Sequence, residues 1–317
     1  MSDPSSAAHR LPPVARNWVR AVLQADGPLE AHRLTGGWTS DMWLVRTPDS
    51  REAVLRQMTR EPWKAHAAEL LNREADVQGA LSRTAIPVPR PLAIDETGAA
   101  AGAPSLLMTR LQGDLLLHDD GDEVLARLAA VLGAIHAHRP ASHRPRPYQS
   151  WAVQAKRVPP DWAADTELWR SAFRVLDRSP PEHRGVFMHR DFHLGNVLWH
   201  EGRVSGVVDW VEASWGPADL DVAHCETNLA MLHGPSAAHR FRAAYPAATT
   251  TADQSPKDST YWQVMDVVGY LPTPRKVAAP WRDKGRVDVT DDIAEQRLEL
   301  WLHEVMAGSA RRWRTTW

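Results

Sequence analysis

Apolar positions recur along this chain at two periods, and the change from one to the other divides the sequence. From Val14 to Leu23 they return every three or four residues, predicting a helix after a loose end that reaches to about Leu11. The next stretch reads as strands. His32 to Leu34 leads through the polar Thr35–Asp41 into a run from Met42, and the turn residues Pro48, Asp49 and Ser50 precede a third strand, Ala53 to Gln57. Helical spacing returns over Ala65–Leu81, with Leu70, Leu71, Glu74, Val77 and Leu81 at three- and four-residue steps. The prolines of Ile86–Leu92 end that helix and enforce an extended connection. Leu92–Ile94 and Leu106–Thr109 then read as another pair of strands.

After Leu111–Asp114 the helical period dominates. Val124, Leu128, Leu132 and Ile135 share one face of the stretch from Glu123 to His136. One compact β segment, Phe187–Trp210, interrupts the helices, and Ala244–Asp258 reads as a polar loop. The pattern therefore predicts an α+β protein. A flexible N-terminus at 1–13 precedes a small β-rich N-lobe over 14–110 and a larger, mainly helical C-lobe over 111–317. A cleft between two such lobes is the expected ligand site.

Composition narrows the partners. The 317 residues carry a formal net charge of -2, whereas a protein that tracks a phosphate backbone normally has a strong positive field, so no nucleic acid partner is expected. The single cysteine, Cys225, excludes an intramolecular disulfide and fits a reducing, cytoplasmic setting. The first residues lack the apolar core of a signal peptide, and no run approaches the ~20 apolar residues of a membrane helix, so no membrane partner is expected either. Nothing in the pattern specifies an oligomeric state.

The β segment carries the chemistry. Apolar Val186–Met188 runs into HRDFHLGN, His189 to Asn196, and apolar Val197–Trp199 follows. A turn at Glu201 and Gly202 then leads to a strand ending at Asp209. Two carboxylates and an amide are thereby expected at the ends of neighbouring strands. Phosphoryl transfer asks for this set: a carboxylate to take the attacking hydroxyl's proton, and oxygen ligands to hold Mg²⁺ on the phosphates. Asp191 would be the base, with Asn196 and Asp209 as metal ligands. A rival reading makes His189, Asp191 and His193, with His200 and Asp209, ligands of a transition metal in a hydrolase. A third makes them a satisfied polar loop. The segment by itself leaves all three open.

From about Leu34 to Leu232 the sequence resembles the aminoglycoside phosphotransferase family, which includes choline-kinase-like enzymes and shares its fold with protein kinases. HRDFHLGNVLW resembles the family's catalytic loop, GVVDW its strand ending in the magnesium-binding Asp209, and EASWGPADLDVAHCETNLA its Gly-Pro turn and following helix. The resemblance implies a bilobal protein-kinase-like fold and an ATP- and Mg²⁺-dependent phosphotransferase, with GTP as a possible alternative nucleotide. It implies that Gly36, Gly37 and Ser40 cover the phosphates. Arg56 stands where many relatives have lysine and would pair with Glu74. The backbone of Thr109 and Leu111 would hydrogen-bond the adenine, and Met108 would pack on the ring. Asp221 would support the catalytic loop by hydrogen bonding, His136 would sit in the core, and Arg190 would contact either phosphate or a nearby carboxylate.

The acceptor is expected to be the hydroxyl of a small molecule, because the C-lobe lacks a protein-kinase activation segment ending in Ala-Pro-Glu. Asp292, Glu295 and Glu299 share a face of the last predicted helix and would suit a polycationic aminoglycoside, although acids in a first turn also serve the helix dipole. Trp262, Trp281 and Trp301 would suit an apolar or cationic acceptor, or simple core packing. The functional alternatives are a nucleotide-binding pseudokinase scaffold and a metal-dependent hydrolase.

Overall fold

A computed structural model describes residues 10–34, 39–140, 145–248 and 259–314. The chain forms two compact units, Met1–Gly113 with Ser205–Val211, and Asp114–Val204 with Glu212–Trp317.

In the first unit, helix α1 (Pro13–Leu23) opens on Pro13, whose fixed φ suits the first helical position. Five antiparallel strands follow: β1 (Glu30–Leu34), β2 (Asp41–Arg46), β3 (Glu52–Gln57), β4 (Pro91–Asp95) and β5 (Ser105–Thr109), in spatial order β1-β2-β3-β5-β4. Alternation along a strand decides which face each side chain meets. Ala53, Leu55 and Leu107 turn to one face, where they pack with Ala15 and Val19 of α1. Val54, Leu106 and Met108 turn to the other, where they pack with Ala67 and Leu71 of α2 (Ala67–Leu81). Leu55, Leu71 and Leu106 are fully buried, worth about 1.5–3 kcal/mol each. The same alternation places Arg56 on the α2 face. Helix α2 starts two residues later than the periodicity suggests, because Trp63–His66 forms a 3-10 turn ahead of it.

Three bonds to backbone carbonyls help tie the segment Ser205–Val211 to this unit. Val207 N–H donates to the Pro87 carbonyl at 2.7 Å, Ser205 Oγ to the Gln112 carbonyl at 2.6 Å, and Arg73 to the Val211 carbonyl at 3.0 Å.

The second unit holds β6 (Asp114–Leu115), α3 (Asp122–Ala137), α4 (Thr166–Leu176), β7 (Gly185–Met188), β8 (Val197–His200), β10 (Ser214–Pro217), α5 (Ala218–His233), α6 (Pro235–Ala248), α7 (Thr260–Gly269), α8 (Arg275–Asp283) and α9 (Asp291–Arg314). Strand β9 (Arg203–Val207) carries the chain from this unit back to the first. The expected single β segment belongs to two separate sheets, β10-β7 and β6-β8-β9. Strand β7 pairs antiparallel with β10, Met188 opposite Ser214, and β8 pairs with β6. The β7–β10 pairing needs Gly185, because any Cβ there would collide with the Trp215 indole. Helix α5 is buried on every side from Leu220 to Leu232, the mark of a central helix. Helix α6 extends to Ala248, so the expected loop from Ala244 begins as helix, and 249–258 lie outside the described residues. Among the described residues no helix is long and apolar enough to cross a membrane.

Candidate active site

In the first unit a buried guanidinium sits between two carboxylates. Arg56 on β3 lies 3.2 Å from Glu74 Oε2 on α2, and both of its Nη atoms donate to Asp209 Oδ1, at 3.2 and 3.1 Å. Gln78 Nε2 and the Trp210 amide also donate to Glu74. Burial raises the Glu74 carboxyl well above the ordinary range, with Arg56 opposing it. Asp209 has φ 64, in the left-handed region that costs an L-residue strain, and its side chain keeps 39% exposure. A carboxylate held on one oxygen in a strained, half-open loop is set up to bind something.

Of the other nucleotide-facing candidates, Gly36 and Gly37 lie outside the described residues. Ser40 is buried, with its Oγ 3.6 Å from Met42 Sδ. Met108 is buried against α2, where Gln78 Nε2 meets its sulfur at 3.5 Å. The Thr109 N–H is committed to the Arg90 carbonyl at 2.9 Å, and Leu111 is half-buried.

The second unit holds Asp191 and Asn196 in the loop between β7 and β8. Asp221, in the first turn of α5, shapes that loop: its carboxylate accepts the His189 amide at 2.9 Å and the Arg190 amide at 2.7 Å. His136 and then Tyr245 back Asp221, at 3.1 and 2.6 Å, so His136 is a buried support. With its backbone fixed, Arg190 adopts φ 73 and its guanidinium stacks on Trp151, 3.8 Å from the ring centroid. It is buried and lies 3.7 Å from Asp266, a carboxylate partner. Further along the loop, the His193 ring accepts the Gly195 amide at 3.0 Å, and a Cβ at Gly195 would come within 2.7 Å of that ring.

Asp191 is partly exposed and hydrogen-bonded on both oxygens. Asn196 Nδ2 donates to its Oδ2 at 3.1 Å and to its backbone carbonyl at 2.9 Å. Its Oδ1 lies 3.0 Å from His224 Nε2 on α5, and His224 Nδ1 lies 2.9 Å from Asp266 Oδ1 on α7. Burial opposes ionisation of Asp191, but the His224 hydrogen bond and the charges of the neighbouring histidines prevail and hold its carboxyl well below the usual range. Burial likewise works against a charged His224, yet Asp266 and Asp191 raise its pKa to about 9. Neither His224 nor Asp266 was singled out from the sequence.

Which metal these residues suit follows from their donor atoms. Asp191, His193 and His224 have ligating atoms within 4.8 Å of one another. A nitrogen-rich trio favours a transition metal, but both ring nitrogens of His224 already face carboxylates, so it has no lone pair to offer. His189, another of the expected hydrolase ligands, accepts the Asp191 amide at Nδ1, 3.2 Å away. Oxygen donors for a hard cation are present instead. Asn196 has its nitrogen on Asp191, which leaves Oδ1 as the free end of the amide, and Asp209 is half-open. These two ligands stand in different units.

The acidic row on α9 is largely engaged. Glu295 is buried and accepts from Thr273 at 2.8 Å, and Glu299 accepts from the Ala164 and Asp165 amides and the Trp169 indole, each at 3.0 Å. Trp262, Trp281 and Trp301 are all buried. Trp281 alone of the three lines the crevice formed with His193, Leu194, Gly195, Asn228, Leu229 and Leu232, which has no room for a water molecule.

A five-stranded sheet whose third strand offers a cation to a helix glutamate, together with an Asp–Asn loop in a mainly helical unit, defines a protein-kinase-like fold. Solved structures agree. The apo form of a thermostable mutant of aminoglycoside phosphotransferase APH(4)-Ia matches over 91% of this chain and 98% of its own, with TM-score 0.60 and 20% identity. Amicoumacin kinase hAmiN, in complex with AMP-PNP, Ca²⁺ and Ami, matches over 96% of this chain and 93% of its own, with TM-score 0.57 and 11% identity. The model of the phosphotransferase enzyme family matches residues 30–254, and the chain belongs to that family. It is also 26% identical over 227 residues to mouse (Mus musculus) acyl-CoA dehydrogenase family member 10, covering 62% of this chain but spanning only 20% of that relative's length.

Proposed function

We propose that the protein is an ATP- and Mg²⁺-dependent phosphotransferase that moves the γ-phosphate to a hydroxyl of a small molecule, with GTP as an alternative donor. The observation that carries this reading is Asp191: a partly exposed carboxylate, held ionised in a catalytic loop that the family match covers. Asp191 orients the acceptor hydroxyl and takes its proton as the phosphoryl group transfers. Asn196 and Asp209 would hold Mg²⁺, which would neutralise charge on the phosphates. Arg56, fixed by Glu74, steadies the α/β-phosphates, and Gly36, Gly37 and Ser40 cover them. Met108 and Thr109 at the end of β5, and Leu111 just beyond it, serve the adenine. A single, buried cysteine suits a cytoplasmic enzyme.

The related APH(4)-Ia has been solved in a ternary complex with AMP-PNP and hygromycin B. For this chain Glu295 and Glu299 are already engaged, so they do not offer a free acidic row to a polycationic acceptor. Asp191→Asn tests the role of the base. ADP release should fall by about 10²–10⁴-fold while Mg-ATP binding, followed by thermal shift, persists. Full turnover in that variant would remove Asp191 as the base.

A further inference from the structure

His224 touches both Asp191 and a second, wholly buried carboxylate, Asp266. Its surroundings are closed on every side. Trp151 meets the ring edge-on at 5.3 Å, Tyr270 stacks on it at 6.0 Å with planes 7° apart, and His193 lies 5.9 Å away. On its own helix, Asn228 donates to the His224 carbonyl at 2.9 Å and to the Tyr270 hydroxyl at 2.7 Å, its Nδ2 lies 3.2 Å from His224 Nε2, and the Tyr270 hydroxyl lies 3.3 Å from His224 Nδ1. From α7 comes Asp266, and behind Asp266 stands Arg190 at 3.7 Å.

A neutral imidazole has one N–H and one bare lone pair. Here the two ring nitrogens face two carboxylate oxygens, at 2.9 and 3.0 Å, so a neutral ring would aim its lone pair at one of them. The imidazolium donates to both carboxylates at once. With it, Asp191 and Asp266 face two cations, Arg190 and His224, and His193 Nε2 lies 3.7 Å from Asp191 Oδ1. Pairing of this kind is what burial demands of charged groups.

We propose that His224 is a positioning residue: clamped by Asp266 as an imidazolium, it donates to Oδ1 of Asp191 and fixes that carboxylate in the rotamer used for the acceptor hydroxyl. The role assigned to Asp191 rests on the phosphotransferase reading; the clamp itself does not. Asp266 sets the ring, the ring sets Asp191, and Asn196 holds the other oxygen. The base is thus oriented from both sides before any acceptor arrives.

Two measurements on the full chain test this. The first follows the ring nitrogens of His224 by ¹⁵N NMR against pH, without nucleotide. Both should stay protonated to about pH 9, and Asp191→Asn should lower that titration by roughly 1 to 2 pH units, as losing one charged partner does. A ring that titrates near 6.5, or that ignores Asp191→Asn, overturns the clamp. The second compares ADP release from Mg-ATP, with water as acceptor, in wild type and His224→Gln. The variant should lose about 10- to 100-fold in kcat with KM for Mg-ATP unchanged, as removal of an orienting partner does elsewhere. An unchanged kcat, or a loss confined to KM, overturns the positioning role. A wild type that holds the imidazolium but releases no ADP under any condition would refute phosphotransfer while leaving the clamp intact.

Discussion

Arg56 in the first unit and His224 in the second occupy the same kind of place. Each is a buried cation between a fully buried carboxylate (Glu74 or Asp266) and a partly exposed one (Asp209 or Asp191). In both, the buried acid holds the cation and the cation holds the acid proposed to act on the substrate. The difference lies in the cation. A guanidinium keeps its charge at any working pH, whereas an imidazolium can be lost. The guanidinium of the first arrangement therefore keeps its own charge, although burial raises the Glu74 carboxyl beside it, whereas the imidazolium beside the proposed base can lose its charge.

That comparison can be broken first at Arg56. Arg56→Met would leave Glu74 buried without its cation, and the expected loss of stability is about 3–5 kcal/mol by urea titration, with weakened Mg-ATP binding. A variant as stable as wild type would mean that Glu74 folds protonated and the pair is dispensable.

The pH response sharpens the contrast. The folded-state pKa of His224, about 9, lies above the ordinary 6.5, so its contribution to stability is full below about pH 6.5. It declines as pH rises and is gone above about 9, an effect of about 3 kcal/mol for so buried a group. Urea titrations at pH 6.5 and 9.5 should differ by that much in wild type and much less in His224→Gln. Equal differences in the two proteins would assign the alkaline loss to another group.

The smallest effect belongs to the surface. Asp292 is exposed on α9, unlike Glu295 and Glu299 on the same helix, and Asp292→Asn should change stability by no more than about 0.5 kcal/mol. A large drop in acceptor binding in that variant would restore the acidic row as an acceptor site.

Much of this was readable from the chain, for physical reasons that differ by residue. The strands of the first unit obey a two-residue alternation, and the same alternation turns Arg56 toward Glu74. Asp191 and Asn196 share a polar loop between two apolar runs, where a carboxylate and an amide need a reason to be. What escaped was carried by long-range contact. His224 and Asp266 sit within apolar-periodic helices, DVAHCETNLA and YWQVMDVVGY, and a histidine there reads as a core residue. The available signal was Asp266 itself, an acid amid Val264, Met265, Val267 and Val268, which demands a cation from another element. Strand β10 escaped because its Gly216 and Pro217 are turn residues by local preference, and only Trp215 over Gly185 makes them a strand.

The account turns on transfer of a phosphoryl group to a small-molecule hydroxyl. The direct measurement incubates the wild-type chain with Mg-ATP and a panel of hydroxyl-bearing acceptors, and reads ADP release together with acceptor mass. The predicted result is a gain of about 80 Da, one phosphoryl group, on at least one acceptor, in step with ADP and absent from Asp191→Asn. Turnover that needs zinc, ignores ATP and leaves every acceptor mass unchanged would contradict it.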